Sequence, residues 1–189
     1  MTAELLAQSF ASTRGVLANV TPDQLGGGPT PCASWSTKEL VDHIVNGTTF
    51  FATIAETGTP PAADGYPAFT PEGVVDAFDA GSARAVRAFA ADGAMERIMH
   101  PPFGDIPGSV FVNIAAGDAF THGWDLAKAT GQPTDLDPEV AAQLLEFAQA
   151  FLSDALRGPE GQAPFGPKQE APPGATAADM LAAFMGRRA

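Results

Sequence analysis

The sequence predicts an all-α protein: a four-helix bundle with additional C-terminal helices and little or no β-structure. Apolar residues recur along most of the chain at the three- and four-residue spacings of amphipathic helices, and clusters of proline and glycine separate these segments. No segment shows a sustained alternation of apolar and polar residues, which is the pattern of a half-buried strand. Helices of such lengths joined by loops favour an antiparallel bundle.

Length and charge limit the class of protein. A chain of 189 residues can bury one hydrophobic core, and we expect a single domain over residues 1–189. The formal net charge of −12 argues against nucleic acid and anionic membranes as partners, because both are bound through basic patches. A single cysteine, no signal-peptide pattern and no long apolar run together predict a cytoplasmic protein.

The first two helices have clear sequence signals. Apolar spacing predicts the first helix from residue 2 to about residue 20, where a proline and a glycine cluster follow. Ser36 and Glu39 form a capping-box pattern that starts the second helix. Trp35, just before this cap, is placed to pack on Leu40 as a hydrophobic staple.

The later helices are also bounded by local signals. A threonine, a proline and a glutamate open a third helix over residues 70–91, and a fourth covers about residues 109–130 with Gly131 as its left-handed cap. An aspartate cap and a proline open a fifth over residues 137–158. After a stretch rich in proline and glycine, a short helix over about residues 176–185 is expected to pack as a lid or an edge.

Two residues on the fourth helix have the spacing of metal ligands. Asp118 and His122 are four positions apart, so they lie one above the other on the same helix face. His43 lies on or beside the core-facing stripe of the second helix, with Gly47 leaving room one turn later. If these three side chains converge, they form a three-ligand site with an open coordination position. On spacing alone, a hydrogen-bonded core histidine with Asp118 as its partner is favoured over a metal site, because many such pairs only support a helix.

A resemblance to a known family favours the metal site. Residues 30–43 read TPCASWSTKELVDH, residues 118–131 read DAFTHGWDLAKATG, and residues 165–167 read FGP. These stretches resemble the actinobacterial metal-binding branch of the DinB/YfiT-like superfamily, which includes the N-terminal domain of mycothiol-dependent maleylpyruvate isomerase. The resemblance implies a DinB-like helical bundle in which His43, Asp118 and His122 hold a divalent metal ion. It also shows two departures: the isomerase has a glutamate where this chain has Asp118, and it has a second, C-terminal domain.

The function implied by the resemblance is low-molecular-weight thiol chemistry. The expected protein is a metal-dependent thiol S-transferase or thiol-dependent isomerase that uses a divalent ion, zinc by expectation, and mycothiol as co-substrate with a small electrophile. We assign no separate general base. Two alternatives remain open: a non-catalytic metal- or ligand-binding regulatory bundle, and a structural bundle without metal. The sequence leaves monomer and homodimer equally open.

Four further residues near the predicted site have two readings each. Asp125 either accepts a hydrogen bond from a metal ligand and orients it, or is a surface acid near a helix end. The second interpretation is favoured. Trp35 and Trp124 are expected in the core or the staple rather than as a substrate platform. Cys32 has no cation next to it in the sequence, so a packing role is favoured over a nucleophilic one.

Three charged or titratable residues lie elsewhere. Arg84 and Arg87, one turn apart on the third helix, bind a carboxylate of thiol or substrate only if they face the cleft. A solvated helix face is the favoured reading. His100, which precedes two prolines, is expected to be exposed in a connection.

Overall fold

The computed structural model describes residues 3–32, 34–66, 68–159, 162–163 and 165–188, and these residues form an all-α helical bundle. The fold class predicted from the sequence is therefore confirmed. The helices and the two short strands have the following bounds: α1 Ala3–Leu17, α2 Thr37–Thr57, α3 Val74–Ala90, β1 Ile98–Met99, β2 Ile106–Pro107, α4 Gly108–Thr130, α5 Pro138–Phe151 and α6 Ala177–Phe184. The strands pair antiparallel and contribute the only sheet in the described part of the chain.

The predicted caps are in place. At the start of α2, the amide of Glu39 donates to the Ser36 hydroxyl at 3.3 Å, and the amide of Ser36 donates to the Glu39 carboxylate at 2.8 Å. Gly131 ends α4 with a left-handed φ of 70°, a conformation that favours glycine. Asp137 caps α5 by accepting from two amides of its first turn. Local sequence therefore sets most of the helix boundaries.

Two helix ends differ from the prediction. The first helix stops at Leu17 rather than at about residue 20, and its predicted start at Thr2 lies outside the described residues. The fifth helix stops at Phe151 rather than at residue 158. Leu152 and then Ser153 turn to extended backbone, and a single 3₁₀ turn follows at Asp154–Leu156. Serine and aspartate compete with helical hydrogen bonding, which accounts for the early end of this helix.

Glycines let the helices of the bundle approach closely. On α4, a Cβ at Gly123 would collide with the side chain of Thr13 on α1, and the Thr13 hydroxyl donates to the Ala119 carbonyl at 2.7 Å. On α3, a Cβ at Gly81 would collide with Thr48 on α2. These contacts join α1 to α4 and α2 to α3, and α2 also packs against α4. The last pair positions the candidate site.

The C-terminal elements close one end of the bundle. Thr176 and Asp179 form a second capping box at the start of α6, which packs mainly on α5. The indole NH of Trp124 on α4 donates to the Asp179 carboxylate at 2.8 Å, which ties α6 to the bundle. Arg157 donates to the Phe184 carbonyl at 2.8 Å. The tail after α6 is thereby directed back toward α4.

None of the described helices combines the length and the hydropathy that crossing a lipid bilayer requires.

Candidate metal centre

His43, Asp118 and His122 lie together where α2 faces α4. His43 Nε2 is 3.5 Å from Asp118 Oδ1, and His122 Nε2 is 3.6 Å from the same oxygen. The two imidazole rings lie edge to face with centroids 4.6 Å apart. One ligand atom from each residue lies within 4.8 Å of the other two. The geometry thus brings together the three residues that the sequence analysis singled out.

The separations fit ligands around one cation better than a hydrogen-bonded group. A good N–H···O hydrogen bond spans about 2.7–3.2 Å, so 3.5 and 3.6 Å are long for one. Around a tetrahedral ion, bonds of about 2.0–2.2 Å place neighbouring ligand atoms about 3.3–3.6 Å apart. Two imidazole nitrogens and one carboxylate oxygen are also a donor set that divalent transition metals accept. The residues therefore fit a divalent ion of the zinc type.

The carboxylate and the imidazoles of the cluster shift one another's pKa values. Burial alone would raise the pKa of Asp118, but the two neighbouring imidazoles bring that pKa below its ordinary value. Burial would lower the pKa of His43, and the Asp118 carboxylate outweighs it, so the pKa is raised. The Asp118 carboxylate is thus held ionised between two potential nitrogen ligands.

Asp125 lies directly behind His122, and the prediction that it is a surface acid is wrong. Its side chain is completely buried, with Oδ2 3.0 Å from His122 Nδ1. Burial would raise the pKa of Asp125, but the His122 ring and Arg187 together lower it to about 2. An ionised carboxylate only accepts, so Nδ1 of His122 is the donor, and any lone pair of the ring lies on Nε2. Asp125 therefore orients the His122 ring so that Nε2 faces Asp118.

Arg187 is a site residue that the sequence reasoning missed. The tail after α6 brings its guanidinium against Asp125 Oδ2 at 2.9 Å and against the Cys32 sulfur at 3.4 Å. No periodicity or motif links residue 187 to residue 125. The only sequence signal is the presence of a basic pair at the end of a strongly acidic chain.

Cys32 has a cation beside it, contrary to the sequence analysis, yet its thiol is not activated. Its sulfur donates to Asp125 Oδ2 at 3.1 Å. Burial and the Asp125 carboxylate outweigh the opposing effect of Arg187 and raise the pKa of Cys32 to about 12. The side chain is half-buried and stays protonated at neutral pH, which agrees with a packing role.

Cys32, His122 and Asp125 also lie close enough to share a cation. The Arg187 guanidinium already bonds both the Cys32 sulfur and the Asp125 carboxylate, so a second positive charge there would be repelled. Nδ1 of His122 is also engaged by Asp125. This group is therefore a hydrogen-bonded support for the first one.

The two tryptophans lie in different environments, one in the core and one beside the candidate ligands. Trp124 is fully buried, which confirms its predicted core role. Trp35 packs partly against the core, but its ring also stacks near His43 with centroids 4.5 Å apart and near His122 at 5.4 Å. Trp35 thus forms a wall of the site in addition to any staple.

The remaining candidates lie away from the cluster, as expected. Arg84 makes a two-point salt bridge with Glu56 on the outside of the bundle, and Arg87 is exposed. Neither lines the cavity beside the cluster. His100 is half-exposed in its connection and pairs with Asp105 at 2.8 Å.

A cavity of about 970 Å³ opens beside the cluster. His43, Asp118 and His122 all contribute to its wall, and so do residues 165–167, the FGP stretch. Gly47 lies close to Asp118: a Cβ there would stand 3.7 Å from Asp118 Oδ2, which leaves the carboxylate accessible. The three candidate ligands therefore face a space large enough for a small molecule.

Comparison with known proteins finds similar sequences over most of the chain. Residues 6–127, which include all three candidate ligands, match the family described as the mycothiol maleylpyruvate isomerase N-terminal domain. Two uncharacterized proteins from two strains of Mycobacterium tuberculosis are each 44% identical over 172 residues, covering 91% of this chain and 90% of theirs.

Solved structures show the same fold. The crystal structure of the mycothiol-dependent maleylpyruvate isomerase superposes with a TM-score of 0.58 at 17% identity, over 76% of this chain and 65% of that one. A histidine-to-alanine mutant of that isomerase gives a TM-score of 0.57 at 16% identity. The present chain thus spans less than two thirds of the length of the solved isomerase.

Proposed function

This chain belongs to the mycothiol maleylpyruvate isomerase N-terminal domain family, and on that premise we propose that it is a divalent-metal enzyme of low-molecular-weight thiol chemistry. The reaction class is a thiol S-transfer or a thiol-dependent isomerisation. One observation carries the proposal: His43, Asp118 and His122 present ligand atoms at metal-like separations into a cavity that admits a small molecule.

The thiol we propose is mycothiol, because the matched family and the enzyme of similar fold are both named for it. A divalent cation, zinc by our expectation, supplies one effect when bound: a thiol that coordinates it loses its proton at neutral pH and becomes a nucleophile. His43, Asp118 and His122 would hold that cation.

The protein's own groups prepare the site in three ways. Asp125 and Arg187 fix the tautomer and the orientation of His122. Trp35 covers one side of both imidazole rings and limits the access of water to them. Cys32 stays protonated, so the chain's own thiol does not compete with the co-substrate.

The test combines metal content with thiol consumption. Purified protein is analysed by elemental mass spectrometry, then mixed with mycothiol and a broad panel of electrophiles while the free thiol is followed. We expect about one divalent ion per chain and accelerated thiol loss with at least one electrophile, both abolished in His122→Ala. A His100→Ala variant serves as the matched control, because its imidazole lies outside the cluster.

The outcomes separate the alternatives. Stoichiometric metal with no acceleration across the panel would favour the non-catalytic binding or regulatory module. Absence of metal after purification and after reconstitution would favour the structural bundle and end the proposal.

A further inference from the structure

The cavity beside the cluster also indicates what kind of electrophile it accepts. We propose that it selects an uncharged, largely apolar electrophile, such as an aryl-substituted enone, over a dicarboxylate. This inference rests on the proposed function for its chemistry, but the cavity's preference can be measured by binding alone.

Much of the cavity's wall is aromatic and aliphatic. Phe147 and Phe151 on α5 stack in parallel, with centroids 5.3 Å apart and an interplanar angle of 13°. Phe50 from α2 and Ile114 from α4 face the same space. Binding an apolar group against such a surface is favourable, because it removes apolar area of both from water.

The rim of the cavity carries unusually exposed aromatic side chains. Tyr66, Phe103 and Phe151 line the cavity and are 37%, 59% and 41% exposed. They are three of the five large apolar side chains that are exposed in the described ranges of the chain. Clustering of exposed apolar side chains at one opening is typical of a site that an apolar ligand covers.

The charges around the cavity disfavour a dianion. Asp118 contributes a carboxylate to the wall, and the whole chain carries a formal charge of −12. Among the described lining residues the arginines are Arg187, which is held by Asp125, and the exposed Arg188, and none is a lysine. Apart from the proposed metal ion, whose open position the thiol would take, a dicarboxylate would therefore meet Arg188 but no second cation in the described lining that a carboxylate does not already hold.

Three polar atoms of residues around the cavity lack a protein partner. Asn46 Oδ1, Asn113 Oδ1 and Thr121 Oγ1 are buried without a hydrogen-bond partner among the described residues, and their residues line the cavity. The amide nitrogen of Asn113 donates to the Ser109 carbonyl at 2.6 Å, so its oxygen is the free end. A carboxylate cannot donate to the two amide oxygens, whereas the Thr121 hydroxyl can donate to a carboxylate or to the carbonyl of a neutral enone. The two amide oxygens therefore give a dianion no hydrogen bond, and the Thr121 hydroxyl can serve the carbonyl oxygen of an enone.

The chemistry of such a substrate balances without another reactant. The co-substrate thiol adds across the C=C bond of the enone: the sulfur–carbon bond forms at the β carbon and the π bond breaks. The proton that the thiol gives up ends on the α carbon. Nothing is oxidised or reduced overall, and the reverse step after rotation gives isomerisation.

Binding of two probes to the metal-loaded protein tests the preference. Isothermal calorimetry compares neutral benzylideneacetone with the maleate dianion. We expect benzylideneacetone to bind at least about tenfold more tightly, because its ring covers the aromatic wall. Equal or tighter binding of maleate would overturn the inference.

A variant that fills part of the cavity tests the same preference. Gly117 on α4 lines the cavity, and a Cβ there would meet no heavy atom within 4 Å among the described residues, so the first carbon of a side chain in Gly117→Leu has room and the rest of it can extend into the space. Gly15 on α1 is a helical glycine with equally open surroundings but outside the cavity, so Gly15→Leu is the control. Gly117→Leu should weaken benzylideneacetone at least about tenfold with unchanged metal content, and Gly15→Leu should not.

A second variant tests the inference if Gly117→Leu lowers the metal content of the protein. Phe147→Arg places a cation on the aromatic wall and should reverse the order of the two probes; an unchanged order would contradict the inference. Failure of the proposed function is distinct, because it appears as missing metal or as no thiol consumption. Acceleration with maleate or other dicarboxylates but not with neutral enones would leave the proposed function standing and refute the apolar preference.

Discussion

His122 and Asp125 are joined by a buried hydrogen bond of 3.0 Å between Nδ1 and Oδ2, on the side of the imidazole away from Asp118. The bond fixes which nitrogen of the ring carries the proton. It also couples the candidate metal ligand to the C-terminal tail, because Arg187 holds the other side of the same carboxylate. The site therefore depends on residues that do not touch the cation.

Asp125→Asn should weaken metal binding by about 10–100-fold, because the neutral amide no longer polarises His122 and no longer balances Arg187. The dissociation constant is measured by competition with a chromogenic chelator. Asp92→Asn, which changes an exposed aspartate, is the control. An Asp125→Asn dissociation constant equal to that of the wild type would show that the hydrogen bond is only structural.

The proposed ligand set predicts which of the three histidines and the cysteine are needed for metal binding. His43→Ala and His122→Ala should each lose stoichiometric metal, because a two-ligand remnant binds weakly. His100→Ala should keep full occupancy, since its partner is Asp105. Cys32→Ser should also keep it, since the cysteine belongs to the supporting group with Arg187.

Metal content after dialysis, measured by elemental mass spectrometry, checks all four variants. Full occupancy in His43→Ala would refute the proposed ligand set. Loss of metal in Cys32→Ser with retention in His43→Ala would instead assign the ion to the second cluster.

The sequence was sufficient for the fold because its signals are local. The box of Ser36 with Glu39 and the left-handed Gly131 each depend on a few neighbouring residues, and each is found as predicted. The Asp118 and His122 pair is likewise set by one helical turn. Only the approach of His43 required a tertiary contact, and the apolar stripe of α2 indicated the direction it faces.

The contacts that Asp125, Arg187 and Cys32 make beside His122 were not predictable in the same way. Arg187 meets Asp125 across 62 residues and Cys32 across 155 residues. No periodic pattern encodes a contact between a loop, a helix and a tail at such separations. Asp125 also looked like a surface acid because charged residues are rarely buried without a partner, and its partner lay outside any motif.

Cys32 should react slowly with alkylating reagents in the folded protein. Its pKa is raised from 9.0 to about 12, so the thiolate fraction near pH 8 falls by about a thousandfold relative to an unperturbed thiol. Iodoacetamide labelling followed by intact-mass measurement checks this, with urea-unfolded protein as the reference. Labelling of the folded protein at the unfolded rate would show that the thiol is neither buried nor paired with Asp125.

Two glycines on α4 should respond oppositely to alanine. Gly123→Ala should lower the free energy of unfolding by about 1–3 kcal/mol, because the new methyl group collides with Thr13 of α1. Gly117→Ala should raise it by about 0.5–1 kcal/mol, because the methyl group meets open space and alanine favours the helix. Urea denaturation of the metal-free proteins measures both. A common sign for the two changes would contradict the packing of α1 on α4.

Asp179 should make stability depend on pH in the acidic range. Burial would raise its pKa, but hydrogen bonds from Trp124 and Thr176 lower it below the ordinary 3.8. A carboxyl with a lowered folded pKa stabilises the protein fully above its unfolded pKa, and the contribution is lost as the pH falls through the folded value. Asp179→Asn should therefore cost about 1 kcal/mol at pH 7, and the difference from wild type should shrink below about pH 4.

Tryptophan emission during urea unfolding at a series of pH values follows this difference, since Trp124 donates directly to Asp179. Asp64→Asn, in an exposed loop, should leave the free energy of unfolding within about 0.5 kcal/mol of wild type throughout. A cost of Asp179→Asn that stays constant from pH 7 to the acid limit would mean that the loss does not depend on the charge of the carboxylate. In that case the ionisation of Asp179 would contribute nothing to holding α6 against α4, and no cost at any pH would mean that the amide satisfies the cap and Trp124 as well as the carboxylate does.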